Sequence, residues 1–213
     1  DEPQKIEDEV KTLIDIFQSI KNASRIKTQG LWSELFLMYK SSSVSKMVKY
    51  WHEQTNNKYD FSLNKNFLEV KSTLSFDRKH NFSLHQAHQN HDEIVLVASM
   101  MLNEDANGLT LKHLMGLIKQ QIKDDKGLIN KFNSICYVTL GKGYKDALLK
   151  SYNQEMCEDT IKFYDLENIQ KIDKSYLYQA GISDIRWTSN LDMVPSILRK
   201  RYRKKSELFN IVL

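Results

Sequence analysis

Apolar residues at Ile6, Val10, Leu13, Ile14, Phe17 and Ile20 recur at helical spacing and predict an amphipathic helix over residues 4–22. After a turn around "KTQG", the stretch "LWSELFLMYK" sets Leu31, Leu35, Met38 and Tyr39 on one buried stripe with Glu34 beside it. That pattern predicts a second helix, running through Ser41–Ser45 to about Tyr50. From Tyr59 to Thr73, "YDFSLNKNFLEVKST", the period shortens to two, as in a β-hairpin. A short polar helix is expected near Ser83–His91, and the apolar run Ile94 to Leu102 reads as a buried strand. Helical spacing returns in "TLKHLMGLIKQQIKD", with Thr110 as N-cap. "SICYVTL" at Ser134–Leu140, "IKFYDL" and "ISDIRWTSNL" read as later strands, the last near a sheet edge because it is more polar. Helices alternating with strands in this order predict an α/β fold.

Length and composition narrow the class. A chain of 213 residues buries enough surface for one sizeable core, so a single domain over residues 1–213 is expected. The Ile94–Leu102 run is far shorter than the ~20 residues of a membrane span. The acidic start "DEPQKIEDEV" lacks the apolar segment of an export signal, and the expectation is a cytoplasmic protein with no membrane partner. Cys136 and Cys157 stand in no metal-binding spacing and are expected to be buried thiols. "RKRYRKK" at Arg199–Lys205 carries six positive charges, and removing them from the formal +4 leaves −2 for the rest of the chain. Arg199, Lys200, Arg201 and Arg203 are therefore the candidate phosphate contacts, with Tyr202 as aromatic support. The plainer alternative is a solvated amphipathic tail helix with Leu198 and Tyr202 inward.

The hairpin carries unusual chemistry for a strand pair. If the loop is centred on Asn64–Lys65, Phe61 faces Leu68, Leu63 faces Asn66, and Asp60 faces Glu69. Alternation then puts Glu69 and Lys71 on Asp60's side of the sheet, while Phe61, Leu63, Leu68 and Val70 point into the core. Like charges across a strand pair repel unless something binds between them. Two carboxylates with a lysine two residues on suit Mg²⁺, which takes oxygen ligands and keeps several waters. On this reading Asp60, Glu69 and the Val70 carbonyl hold Mg²⁺ (Mn²⁺ being a substitute), and Lys71 orients or deprotonates a water that attacks a phosphodiester. The same residues would also fit a solvated strand face.

Other clusters point less clearly to chemistry. His80, His85, His88 and His91 crowd one stretch, with His85 and His88 expected on one helix face, but they lack carboxylate or Cys partners at ligand spacing. A solvated polar helix accounts for them, though His80 would touch phosphate if it lay at the hairpin's mouth. "GKGYK" at Gly141–Lys145 lacks the phosphate-loop pattern and reads as a tight turn.

The segments "GLWSELFLM", "DF", "EVKST", "HNFSLHQ" and "GLTLKHLMGLI" together resemble a bacterial branch of the PD-(D/E)XK nuclease superfamily, over about Gln29–Lys123. The resemblance implies a restriction-endonuclease-like αβββαβ core with a central mixed sheet flanked by helices. It divides the chain into an N-terminal helix (1–27), the core (28–140) and a C-terminal extension packed on it (141–213). It implies Asp60 and Glu69 as metal ligands, Lys71 as the catalytic lysine, Glu34 as a first-helix acid helping to hold the metal or its water, and Gln86 as a polar residue near the site. Tyr59 stands where the superfamily name has Pro. From the residues alone, Glu34 would equally be a boundary acid paired with a lysine, and Gln86 a surface amide. The expected function is a Mg²⁺-dependent DNA endonuclease acting in restriction or defence, with DNA, other defence proteins and a second copy of the chain as partners. The alternative is a noncatalytic nucleic-acid-binding or assembly subunit that retains the fold.

Overall fold

The computed structural model describes residues 28–52, 57–173 and 184–213, together with Val10 and Ser175. The helix expected over residues 4–22 lies outside the described residues, apart from Val10. Helix α1 (Thr28–Lys40) is followed by α2 (Val44–Tyr50). The single helix expected to run through to Tyr50 is instead two. Ser41 bonds back to the Met38 carbonyl through both its N–H, at 3.2 Å, and its hydroxyl, at 2.6 Å. Short hydroxyl side chains compete in this way for helical backbone groups. Ser43 is then extended (φ −153°) and restarts the chain as α2.

The hairpin forms in the expected register. Strands β1 (Phe61–Leu63) and β2 (Asn66–Thr73) are antiparallel, with Phe61 opposite Leu68 and Leu63 opposite Asn66. The turn needs a left-handed residue, and Asn64 supplies it at φ 54°, a conformation asparagine tolerates better than most. Next come β3 (Lys79–Ser83), the single turn α3 (Leu84–Ala87), and β4 (Ile94–Met101), which runs parallel to β2. After β5 (Glu104–Thr110), helix α4 (Leu111–Gln121) starts on its expected cap, the Thr110 hydroxyl accepting the His113 N–H. Gly108 lies in β5 where a Cβ would come within 2.4 Å of the Tyr152 carbonyl oxygen.

Ser134–Leu140 is not a strand. It is the second half of α5 (Lys126–Leu140), capped by Asp125 through the Leu128 N–H and ended by Gly141 at φ 52°. Phe132, Ile135, Cys136, Thr139 and Leu140 are buried at helical spacing, and the β-branched residues among them suggested a strand only in a short window. The polar helix near Ser83–His91 shrinks to α3. His88 leaves it at φ −103°, ψ 99°, so His85 and His88 do not share a helix face.

The chain continues through α6 (Tyr144–Ala147), β6 (Ser151–Tyr152), α7 (Gln154–Thr160), β7 (Lys162–Asp165), β8 (Arg186–Asn190), α8 (Arg199–Arg203) and α9 (Glu207–Val212). The central sheet is mixed, in the order β1-β2-β4-β7. β3 pairs with β8 as a separate two-stranded ribbon, and β5 pairs with β6. On one face of the sheet Phe61, Leu68, Val70, Leu96, Ala98 and Met100 pack with α1 and its neighbouring helices. On the other, Val95, Val97 and Tyr164 pack with Phe82 of the ribbon and Leu191 just after it. Leu31 to Met38 are all buried, so α1 is enclosed on every side, not only along one stripe. Residues of the C-terminal segment, Phe163, Leu208, Phe209 and Ile211 among them, belong to the helix-side core. The fold is thus α/β, with a mixed central sheet flanked by helices, as in restriction-endonuclease-like proteins. Among the described residues no helix is long and apolar enough to cross a membrane.

Candidate active site

The hairpin's chemistry sits where β1 begins. β2 continues beyond Leu68, its last partner in register with β1. Backbone groups of alternate strand residues share one edge, so those of Val70 and Ser72 emerge on the side that β1 leaves uncovered. Side chains close this edge. Asp60 Oδ2 accepts the Val70 N–H at 2.7 Å, and Gln29 Nε2, from α1, donates to the Ser72 carbonyl at 3.0 Å. The Val70 carbonyl opens on the same side as Asp60.

Glu69 projects from the ribbon face and is only 6% exposed. Its Oε1 accepts from Lys71 Nζ at 2.7 Å and from Gln86 Nε2 at 3.1 Å. Gln86 is itself held by a capping box: the Ser83 hydroxyl accepts its N–H at 3.1 Å, and its side-chain oxygen accepts the Ser83 N–H at 3.4 Å. A surface amide would need no such arrangement. Glu69 Oε2 is buried without a hydrogen-bond partner. An orphaned buried carboxylate oxygen costs free energy unless a cation or a proton occupies it.

Glu34 lies within the enclosed α1 and, among the described residues, pairs with no lysine. Its Oε2 accepts from Trp51 Nε1 at 2.7 Å and lies 3.3 Å from His52 Nε2. Trp51 bridges to Phe61 and the His52 N–H donates to the Asp60 carbonyl at 2.8 Å, so the segment after α2 is laced to the start of β1. Glu34, His52 and Asp60 each bring one ligand atom to a common place, all within 4.8 Å of one another. The sequence reading missed His52. It is a lone histidine beside a tryptophan, and only the backbone pairing across to Asp60 reveals its position. Across the described residues, bonds to each of the three carboxylates fall on one oxygen: Oδ2 of Asp60, Oε1 of Glu69 and Oε2 of Glu34.

The charges strain against each other. Asp60's carboxyl is pushed well above its ordinary range by burial first and then by the charges of Glu69 and Glu34, despite the opposing Val70 N–H and Lys71. Burial pulls Lys71 down most strongly, but Glu69, Asp60 and Glu34 outweigh it and hold the ammonium above its usual value. Lys71 Nζ also stands 5.3 Å over the Phe82 ring. Beside it, Lys71 pairs in register with Ser99, whose hydroxyl meets His80 Nε2 at 2.8 Å and Arg78 Nη1 at 3.0 Å. His80 is buried and is lowered to about 4 by burial, Lys71 and Arg78. It packs inside the ribbon rather than opening on a hairpin mouth.

The basic cluster lies elsewhere. Arg199, Lys200, Arg201 and Arg203 are exposed on α8, which Tyr202 anchors by donating to Asp165 Oδ2 at 2.6 Å. Leu198 is 77% exposed rather than inward. Asp165 pairs with Leu96 and Glu69 with Val97, adjacent residues of β4 that face opposite ways. α8 therefore stands at the β7 edge, on the face opposite Glu69 and two strands from it.

The residues present fit a divalent ion: carboxylate oxygens without a donor among the described residues, one of them (Glu69 Oε2) buried and orphaned, a backbone carbonyl on the same edge, and an imidazole nitrogen nearby. The model of a family described as "Putative PD-(D/E)XK family member" (DUF4420) matches residues 1–192 of the chain. No curated protein and no solved structure matches it.

Proposed function

Because the chain belongs to the DUF4420 family of PD-(D/E)XK proteins, we propose that it is a divalent-metal-dependent DNA endonuclease of bacterial restriction or defence, active in the cytoplasm. The observation that carries this reading is the convergence of Asp60, Glu69 and Lys71 at one sheet edge, with Glu69 Oε2 left buried and unpartnered. Asp60, Glu69 and the Val70 carbonyl would hold Mg²⁺ or Mn²⁺, with Glu34 behind them. Bound there, the ion supplies positive charge to a phosphoryl group and acidity to a neighbouring water.

The protein's own groups divide the remaining work. Lys71, kept as an ammonium by three carboxylates, donates hydrogen bonds toward the phosphate or the attacking water; its raised proton affinity favours orienting that water over deprotonating it. Gln86 fixes the Glu69 carboxylate so that Oε2 keeps its direction. Trp51 fixes Glu34 in the same way. The exposed cations of α8 would hold duplex DNA by its phosphates, at a distance from the chemistry.

Plasmid incubated with the protein and Mg²⁺ or Mn²⁺ should be nicked or cut, with EDTA abolishing the reaction. Lys71→Met, which keeps the length but not the charge, should lower the rate by roughly 10²–10⁴-fold. Equal inertness of wild type and variant across metals and DNA forms would leave the noncatalytic subunit as the better reading.

A further inference from the structure

We propose that the two-stranded ribbon β3–β8 reads DNA sequence from the major groove, through Lys79, Asn81, Arg186 and Thr188 on its outward face. The inference rests on the DNA-endonuclease reading above and gives it a specificity element separate from the basic helix α8.

Strand pairing and burial carry the inference. On β3, His80 and Phe82 are buried toward the sheet, while Lys79 and Asn81 are exposed. On β8, Ser189 is buried, while Arg186 and Thr188 are exposed. The register sets Lys79 opposite Asn190, Asn81 opposite Thr188 and Ser83 opposite Arg186, so these six residues share the outer face. None of them is acidic. Ser83 and Asn190 are engaged in capping α3 and the turn after β8, which leaves the other four as readers.

Those four match the chemistry of base edges. Lysine and arginine donate to guanine O6 and N7, asparagine bonds adenine at N6 and N7, and the threonine methyl packs on that of thymine. A two-stranded ribbon enters the major groove, which is about 12 Å wide. Alternate residues of an antiparallel strand lie about 6.8 Å apart, about twice the rise of a base pair, so Lys79 and Asn81 fall in step with bases two apart. The amide is already oriented. Thr188 Oγ1 donates to Asn81 Oδ1 at 2.7 Å, which fixes the end of the amide that donates. Asp77 holds Lys79 Nζ at 2.6 Å and Asp184 holds Arg186 Nη2 at 3.1 Å, with the two cationic side chains 58% and 68% exposed. Exposed pairs of this kind contribute little and yield readily to a base contact.

The ribbon is also tied to the candidate site. Phe82, on its inner face, has Lys71 Nζ 5.3 Å over its ring, and β3 runs directly into the capping box that holds Gln86 on Glu69. A ribbon seated in the groove therefore has the candidate catalytic lysine at its flank.

The test uses the full chain with Ca²⁺ and selects from a library of random DNA duplexes. Wild type is expected to enrich a short motif and to protect guanine N7 atoms within it from dimethyl sulfate. Asn81→Ala and Arg186→Ala should each relax the preference at one base pair of the motif by about tenfold or more, whereas Lys200→Glu with Arg201→Glu should weaken binding and keep the motif. The wild-type footprint needs no variant to fold, and circular dichroism checks that the variants do. Binding without an enriched motif, a motif without a protected guanine, or a motif unchanged in both ribbon variants overturns the ribbon's role and leaves the nuclease reading to its plasmid assay. A motif that depends on Asn81 and Arg186, in a protein that cuts no plasmid, upholds the ribbon and overturns the nuclease reading. No DNA binding at all overturns both.

Discussion

Replacing Asp60 by Asn should make the metal-free protein more stable at neutral pH, although it removes a residue of the candidate site. The unfolded carboxyl ionises near 3.9. In the folded protein it ionises far less readily, because burial and the Glu69 and Glu34 charges oppose the anion. Between those limits the folded state holds a proton that the unfolded state has released. The stability this contributes is complete below the unfolded value and is lost as pH rises through the folded one. Each tenfold gain in Asp60's proton affinity on folding therefore costs about 1.4 kcal/mol at high pH. For a chain of this size that is about 3–5 °C in Tm. Asn cannot ionise, and its side-chain oxygen can still accept the Val70 N–H that Asp60 Oδ2 accepts at 2.7 Å. Differential scanning calorimetry in EDTA should find wild type and Asp60→Asn alike near pH 4 and diverging as pH rises, with the variant higher. Adding Mn²⁺ at a hundred times its Kd stabilises wild type by about 2.7 kcal/mol and should reverse the order. An Asp60→Asn protein that melts below wild type in EDTA at pH 8, or that keeps the same pH slope, would refute the reasoning.

Other consequences can be checked with standard assays. Gln86→Leu removes one of the two donors to Glu69 Oε1 and should weaken Mn²⁺ binding by roughly 10–100-fold, measured by calorimetry, with the Tm falling only by the roughly 2–4 °C expected from losing the acceptor of the Ser83 N–H. His80 is buried neutral with its proton affinity lowered to about 4 from 6.5, so its contribution is complete above about pH 6.5 and fades toward pH 4. The loss is on the order of 3 kcal/mol, and acid titrations of His80→Gln should be correspondingly flatter. Lys200→Glu with Arg201→Glu, both on the exposed α8, should weaken DNA binding uniformly across sequences and lower the salt slope of log K by about 2. An unchanged slope would remove α8 from the DNA-binding surface.

What could be read from the sequence was what depends on short periods. The hairpin register follows from alternation around Asn64–Lys65, which sets Leu63 opposite Asn66 and Phe61 opposite Leu68. The helix at Leu111–Gln121 announced itself through Thr110 and its apolar spacing. Pairings between distant segments stayed hidden. β3 offers only Phe82 as an apolar inward residue beside a buried histidine, and its partner β8 lies over a hundred residues on. The Arg78–His80–Ser99 contacts depend on that pairing. Ser134–Leu140 misled because seven residues of mixed β-branched and apolar character fit either period, and the deciding signals, Asp125 and Gly141, lie at the far ends of a fifteen-residue helix. His52 needed the bend after α2.

The three carboxylates share a design that explains both the strain and its relief. On each, the donors among the described residues hold one oxygen: the Val70 N–H on Asp60, Lys71 and Gln86 on Glu69, Trp51 and His52 on Glu34. Those bonds fix each group's orientation, and among the donors Lys71 brings a full positive charge. Burial and the neighbouring charges of Glu69 and Glu34 raise Asp60's affinity for a proton. An ion held there would compete with a proton on Asp60, so cation affinity should rise with pH until Asp60 is ionised. On the proposed function, a bound ion would turn the repulsion that opposes an anionic phosphodiester into attraction. Ion and substrate would then favour each other's binding through the same charges, with Lys71 at the boundary between the acidic edge and the Arg78–His80 side of the sheet.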